Sequence, residues 1–248
     1  MPLAYIDRAI GSRSVEEVWT LLTEKLRTYG FDRLLYGFTR NMTTFGLGGP
    51  GDFMILSTHT PEYTKRFIDD RLYFDAPMFN WALRNTGACS WSWVERNFDA
   101  LSEREREVVA FNRQMGVTAG YTISFHDQKV RNRAGLGLTA KPGLTQADVD
   151  ALWQRCGHEI HVMCQVTHLV FTTLPYTPPG RALTARQREV LEWVGDGKTT
   201  QDISAIMGIS AATIEKHLRL AREALDVETT AQAVLKASFQ NQLYAVQG

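Results

Sequence analysis

The sequence predicts an α/β protein in two parts. An N-terminal α/β/α sandwich built on a small antiparallel sheet is followed by a C-terminal all-α domain of four helices containing a helix-turn-helix. Three observations carry this expectation. Thr172 to Arg181 reads TTLPYTPPGR, and three prolines with a glycine in that stretch break both helix and sheet. Before the break, helical periodicity alternates with short β-like runs; after it, the periodicity is helical throughout. The expected organisation is residues 1–171, a linker over 172–181, and residues 182–248.

In the first part, Ser14 and Glu17 have capping-box spacing. Behind them Val15, Val18, Trp19, Leu22, Leu26 and Tyr29 recur at helical intervals, and Gly30 suits a C-cap. Leu34 to Phe38 and Phe53 to Leu56 read as a hairpin joined by GLGGPG. Ser102 and Glu105 open a helix that stops at Gly116. Gly120 to Phe125 and Ala134 to Thr139 are two further β-like runs. Thr145 to Val170 then forms a long helix with Val149, Leu152, Trp153, Cys156, Ile160 and Met163 on one stripe.

In the second part, Thr184 caps a helix carrying Val190, Leu191 and Val194 that ends near Gly197. Thr199 or Thr200 begins the next, with Ile203, Ile206 and Met207. Gly208 marks a tight turn and Ser210 caps a third helix. On that third helix Ile214, Leu218, Ala221 and Leu225 fall in one narrow sector and must face the core. Ala212, Lys216, Arg219 and Glu223 point the opposite way. A face that starts with small residues can approach a duplex, and Lys216 and Arg219 can reach phosphates or guanine acceptors. Taken alone, that basic face reads first as solvated surface. Thr229 to Ser238 forms a short fourth helix, apolar at Ala233, Val234 and Ala237, and is expected at a dimer contact.

Composition limits the class of protein. The 27 basic and 27 acidic side chains cancel, which excludes a highly basic nucleic-acid coat and an acidic disordered tail. Neutrality does not exclude a groove reader, which needs one positive face. Cys89, Cys156 and Cys164 are too few and too scattered for a disulfide framework. Asp7, Arg8, Arg13, Glu16 and Glu17 interrupt any signal core, and no stretch approaches about 18 consecutive apolar residues. The expectation is a soluble, reduced, cytoplasmic protein without a membrane partner.

The string LTARQREVLEWVGDGKTTQDISAIMGISAATIEKHLRLAREAL resembles the DNA-binding domain of LuxR-type transcription regulators, from Leu183 to about Ala237. The matching positions include Thr184, Arg186, Glu189, Gly197, Lys198, Ile203, Ser210, Thr213, Ile214 and His217. The resemblance implies double-stranded DNA as partner, read by a homodimer, with RNA polymerase as a further partner it allows. Thr199, Thr200, Ser210, Ala212, Thr213, Lys216, His217, Arg219 and Arg222 are the residues expected at DNA.

The first part begins with a helix and lacks the strand–helix alternation of a phospho-acceptor receiver domain. It resembles instead the autoinducer-binding domain of quorum-sensing LuxR-type regulators, over roughly Glu16 to Phe171. GFDRLLYGF, DAPMFNWALRNTGACSW, LSEREREVVAFNRQMGVTAGYTISF and RAGLGLTAK carry the likeness. The resemblance implies a pocket for an acyl-homoserine lactone or a related small apolar molecule. Pro77, Trp91 and Gly120 match the family pattern. Tyr63 falls at the lactone-binding Trp, Phe67 at a pocket Tyr, and His59 at a Tyr that contacts the amide carbonyl. Ala76 takes the place of the Asp that accepts the ligand amide N–H, with Asp75 one residue earlier. The expected ligand-binding set is His59, Tyr63, Phe67, Asp75, Trp91, Gly120 and Thr139. An orphan regulator that binds another ligand, or acts without one, is the alternative.

Cys156, His158, His161, Cys164 and His168 are dense along the long helix, and three of them recur on one face, as a metal site there would need. Cys156 and Met163 also continue the apolar stripe, so packing is the stronger reading and no metal or cofactor is expected. No P-loop, GxSxG or HExxH string is present, and no catalytic constellation supports an enzyme.

Overall fold

The computed structural model describes residues 2–40, 42, 53–127, 129, 131–177 and 182–244. The chain divides into two compact units, Met1–Thr172 and Thr173–Gly248. Among the described residues no helix is long and apolar enough to cross a membrane.

The first unit opens with α1 (Pro2–Gly11) and α2 (Val15–Thr28). Ser14 caps α2 through the Glu17 amide, but Glu17 does not close a capping box; its carboxylate accepts the Arg13 amide instead, one residue further back. Five strands follow the order β2-β1-β5-β4-β3, every neighbouring pair antiparallel. They are β1 (Phe31–Thr39), β2 (Phe53–Ser57), β3 (Gly87–Ser90), β4 (Gly120–Ser124) and β5 (Arg133–Ala140). The expected hairpin of β1 and β2 is present; its GLGGPG turn lies outside the described residues. Between β2 and β3 lie α3 (Pro61–Thr64), a π-helical turn (Lys65–Asp69), a 3-10 turn (Leu72–Asp75) and α4 (Pro77–Arg84). Between β3 and β4 lie α5 (Ser92–Arg96), a 3-10 turn (Phe98–Ala100) and α6 (Glu103–Gln114). Ser102 and Glu105 make the full capping box at α6, and Gly116 ends that segment at φ 68°.

Strand alternation makes the sheet a wall between two layers. Leu34, Tyr36 and Phe38 of β1 are buried on one face, where Tyr36 meets Phe171 and His168 of α7 (Gln146–Thr173). On the other face Leu35 opposes Gly137 and Gly37 opposes Gly135. Gly37, Gly135 and Gly137 carry no side chain above the sheet, so this face is hollow beneath the short helices that cover it. The chain therefore builds the three-layer sandwich that the sequence predicts.

Several elements differ from expectation. α1 and β3 were not anticipated. α7 continues into the expected linker as far as Thr173, because Thr172 and Thr173 precede the first proline and can still complete a helical turn.

The second unit holds α8 (Ala185–Gly195), α9 (Thr200–Met207), α10 (Ala211–Leu225) and α11 (Thr230–Phe239). Capping boxes open α8 at Thr184 with Gln187, α9 at Thr199 with Asp202, and α11 at Thr229 with Gln232. Gly208, at φ 65°, ends α9 in the left-handed conformation the turn requires, and Ser204 closes the turn by donating to the Ile209 carbonyl. Ile214, Leu218, Ala221 and Leu225 are all buried, together with Val190, Leu191 and Ile203. Ala233 and Ala237 of α11 are fully buried in the same cluster, so the apolar stripe of the fourth helix completes this core.

Candidate effector cavity and nucleic-acid interface

The hollow face of the sheet encloses a cavity of about 240 Å³. Leu35, Gly37, Gly135, Gly137 and Thr139 form its floor; His59, Tyr63, Phe67, Ala76 and Trp91 are among its walls. Tyr63 of α3 and Phe67 of the π-helical turn stand in register with His59, just before α3, and with a ring of α6. Tyr63 stacks on His59 at 4.3 Å and 21°, on Phe67 at 5.1 Å and 17°, and on Phe111 of α6 at 5.5 Å and 18°. Stacked rings give a rigid apolar wall at little entropic cost.

The polar groups in this wall are largely committed. Tyr63 Oη donates to Asn112 Oδ1 at 3.0 Å, leaving the Asn112 amide hydrogens and a Tyr63 lone pair. Trp91 Nε1 donates to Thr122 Oγ1 at 2.9 Å. Burial, with a lesser contribution from the Arg33 charge, lowers the His59 pKa to about 4, so the imidazole is neutral at pH 7. Burial pushes the Tyr63 phenol well above its ordinary value. Glu95, exposed, is the sole carboxylate in the lining among the described residues.

Ala76 is buried at the cavity wall and is also the N-cap of α4, followed by Pro77 at N1; no side chain caps that helix. Asp75 ends the preceding 3-10 turn and is not part of the lining, as the alternation of side-chain directions leads one to expect. Gly120 is not part of the lining either and works behind the wall. A Cβ there would lie 2.1 Å from the Leu138 carbonyl oxygen and 2.9 Å from the Trp91 ring, and its carbonyl accepts the Trp91 amide at 3.1 Å. Gln146, the first residue of α7, lines the cavity and grips Gly120 from both sides. Its Oε1 accepts the Gly120 amide at 2.9 Å, while Nε2 donates to the Gly120 carbonyl, to Ser90 Oγ and to Asp150 Oδ1.

Sequence reasoning missed Asn112, Thr122 and Gln146. Asn112 does leave a signal, a polar residue four positions after the buried Val108 on a half-buried helix. Thr122 and Gln146 leave none, because their partners lie on other elements.

The residues of the histidine- and cysteine-rich helix disperse. His168 Nδ1 meets Tyr36 Oη, His161 Nε2 meets Gln165 Nε2, the Cys156 thiol donates to the Leu152 carbonyl, and Cys164 is fully buried. Among the described residues no three His, Cys, Asp or Glu side chains converge as a metal site would require.

In the second unit, the face of α10 opposite its core carries Ala212, Glu215, Lys216, Arg219 and Glu223, all exposed. Thr213 is half-buried and, with the Ser210 hydroxyl, closes the first turn. His217 is half-buried at the edge of that face. Thr199 is occupied in its capping box, and Thr200 Oγ1 donates to Glu215 Oε1 at 2.9 Å. Arg219 Nη1 donates to Glu223 Oε1. Arg222 Nη1 turns away to Thr230 Oγ1 at 2.9 Å, tying α10 to the start of α11.

Comparison with known proteins agrees with this geometry in both units. Residues 14–171 match the autoinducer binding domain, and residues 181–237 match the bacterial regulatory proteins of the luxR family. The chain belongs to the LuxR family of quorum-sensing regulators, ligand-responsive transcriptional regulators that join these two domains. It is 26% identical over 201 residues to the transcriptional activator EsaR of Pantoea stewartii subsp. stewartii, covering 75% of this chain and 77% of that one. Its fold is similar to that of Escherichia coli SdiA, with a TM-score of 0.52 at 15% identity over 98% of both chains. SdiA has also been solved with octanoyl-rac-glycerol, with a TM-score of 0.52 at 14% identity over 99% of this chain and 96% of that one. Burkholderia cenocepacia CepR2, described as N-acylhomoserine lactone dependent, gives a TM-score of 0.52 at 18% identity, over 68% of this chain and 95% of that one.

Proposed function

We propose that the first unit senses a small, neutral, largely apolar acyl compound, and that the second, as part of a homodimer, reads the major groove in response. The observation that carries the ligand reading is the cavity wall itself. It has a ring stack centred on Tyr63, a neutral His59, and a methyl group at Ala76. An acyl chain gains by burial against these rings, at about 25 cal/mol per Å² of apolar surface. A ligand amide N–H facing Ala76 finds no carboxylate and loses about 1–3 kcal/mol if left unpaired. An acyl ester, which has no N–H, loses nothing there. Acyl-homoserine lactones and O-acyl esters are therefore the two classes to compare, with the ester favoured by Ala76. Effector binding acts by stabilising the form that binds DNA, which requires higher affinity for that form than for the other.

The test is native mass spectrometry of the purified chain, followed by melting in the presence of octanoyl-homoserine lactone and of 1-octanoylglycerol. The expected result is a rise in Tm with both, larger with the ester. A chain that carries no small molecule and melts unchanged with either compound is not a sensor of this class. Sedimentation of the same sample tests the homodimer.

A further inference from the structure

We propose that Glu223 is a specificity-determining residue of the DNA-reading face: it holds the Arg219 guanidinium along α10 so that its remaining N–H edge addresses one guanine. This rests on the reading of the second unit as a groove reader.

The placement of Glu223 is hard to explain by folding. It lies in the last turn of α10, where the partial negative charge of the helix end disfavours an acid. The pair runs from Arg219 to Glu223, the reverse of the acid-first order that best supports a helix. Both side chains are more than half exposed, at 54% and 58%, and an exposed pair of this kind adds little to stability.

The contact does suit recognition. An arginine side chain is long and samples many rotamers, and whatever fixes it before binding lowers the entropy lost on binding. Glu223 takes Nη1, and the guanidinium keeps Nη2 and Nε as parallel donors. Two parallel donors match the O6 and N7 acceptors of guanine. The carboxylate also places a negative charge beside Arg219, which disfavours the alternative in which the arginine swings to a phosphate. Glu215 has its own partner, since it accepts from Thr200, so Glu223 is the acid that Arg219 leans on.

The experiment is selection from a duplex library randomised over about 20 base pairs, two helical turns. It uses the full chain and its Glu223→Ala, Glu223→Gln, Arg219→Ala and Lys216→Ala variants. For the wild type, a guanine preference at one position of each half-site is expected. Glu223→Ala and Arg219→Ala should lose preference at that same position, by roughly tenfold, while other positions keep theirs. Lys216→Ala should lower affinity across all sequences alike. In Glu223→Ala the affinity for random duplex should rise and its salt dependence steepen, as the freed arginine reaches phosphate. Enrichment of the same sequences by wild type and Glu223→Ala, with equal preference at every position, would overturn the inference alone. Failure of the wild type to enrich any sequence would overturn the DNA-reading assignment as well. Unchanged circular dichroism for each variant keeps either result from being a folding defect.

Discussion

Tyr36 Oη and His168 Nδ1 meet at 2.9 Å inside the first unit, joining the middle of β1 to the last turns of α7. The imidazole is 2% exposed, lies flat on Phe125 at 4.5 Å, and meets Phe38 edge-on. Burial lowers its pKa to about 4; Asp127 acts in the opposite direction and Arg40 in the same one.

This relationship predicts an acid-labile first unit. His59 and His168 both titrate near 4 when folded and near 6.5 when unfolded. Between those values the unfolded chain binds more protons, so stability is full above about 6.5 and falls as the pH drops towards 4. The loss is up to about 3 kcal/mol per histidine. Urea midpoints at pH 7.5 and pH 5 check it, and His168→Gln should remove about half the difference. Equal midpoints for the wild type at the two pH values would contradict the burial argument.

Ala76→Asp should act twice. A carboxylate at this N-cap can accept a free N–H at the start of α4, which is worth about 1 kcal/mol. It also offers an acceptor to a ligand amide, raising affinity for octanoyl-homoserine lactone by roughly ten- to a hundredfold. Melting without ligand reads the first effect and titration calorimetry reads the second. An unchanged titration would mean that the amide is bound elsewhere.

Gly120→Ala should be poorly tolerated. The new methyl would press on the Leu138 carbonyl and the Trp91 ring, neither of which is the free end of a flexible side chain. The expected cost is above about 3 kcal/mol, in the range of overpacking and backbone strain. The yield of soluble protein and its Tm measure it. A variant that melts within a degree or two of the wild type would show that β4 and β5 can part at no cost.

Arg222 and its neighbours should separate stability from DNA binding. Arg219→Ala and Lys216→Ala should both weaken duplex binding at unchanged helicity; Lys216→Ala should lower the salt slope by about 1, and Arg219→Ala should leave it nearly unchanged. Arg222→Ala loses the bond to Thr230, costing about 1 kcal/mol of stability with little change in affinity. Anisotropy titrations at two salt concentrations, paired with melts, tell the roles apart.

What was legible in the sequence follows from how local each signal is. The stripe of Ile214, Leu218, Ala221 and Leu225 is set by the helical period alone, and all four are buried. His59, Tyr63, Phe67 and Trp91 are the positions to which the resemblance to the autoinducer-binding domain points, and all four line the cavity. β3, reading GACS, has low strand propensity and is a strand because β4 offers it an edge. Glu17 fits a capping pattern with Ser14, yet the Arg13 amide was the better partner, a choice between neighbours that spacing cannot make. Arg222 looks like a DNA ligand on a helical wheel; its bond to Thr230 depends on where the next helix starts.

The four hydrogen bonds of Gln146 have a kinetic consequence. The Gly120 amide is held by a side chain from the first turn of α7, and the Gly120 carbonyl is shared between that side chain and the Trp91 amide. Neither strand start nor helix start can open to solvent without breaking the bonds of the other. The backbone hydrogens of Gly120 and Trp91 should then exchange with deuterium as one cooperative unit, and Gln146→Ala should split that unit and let Gly120 exchange first.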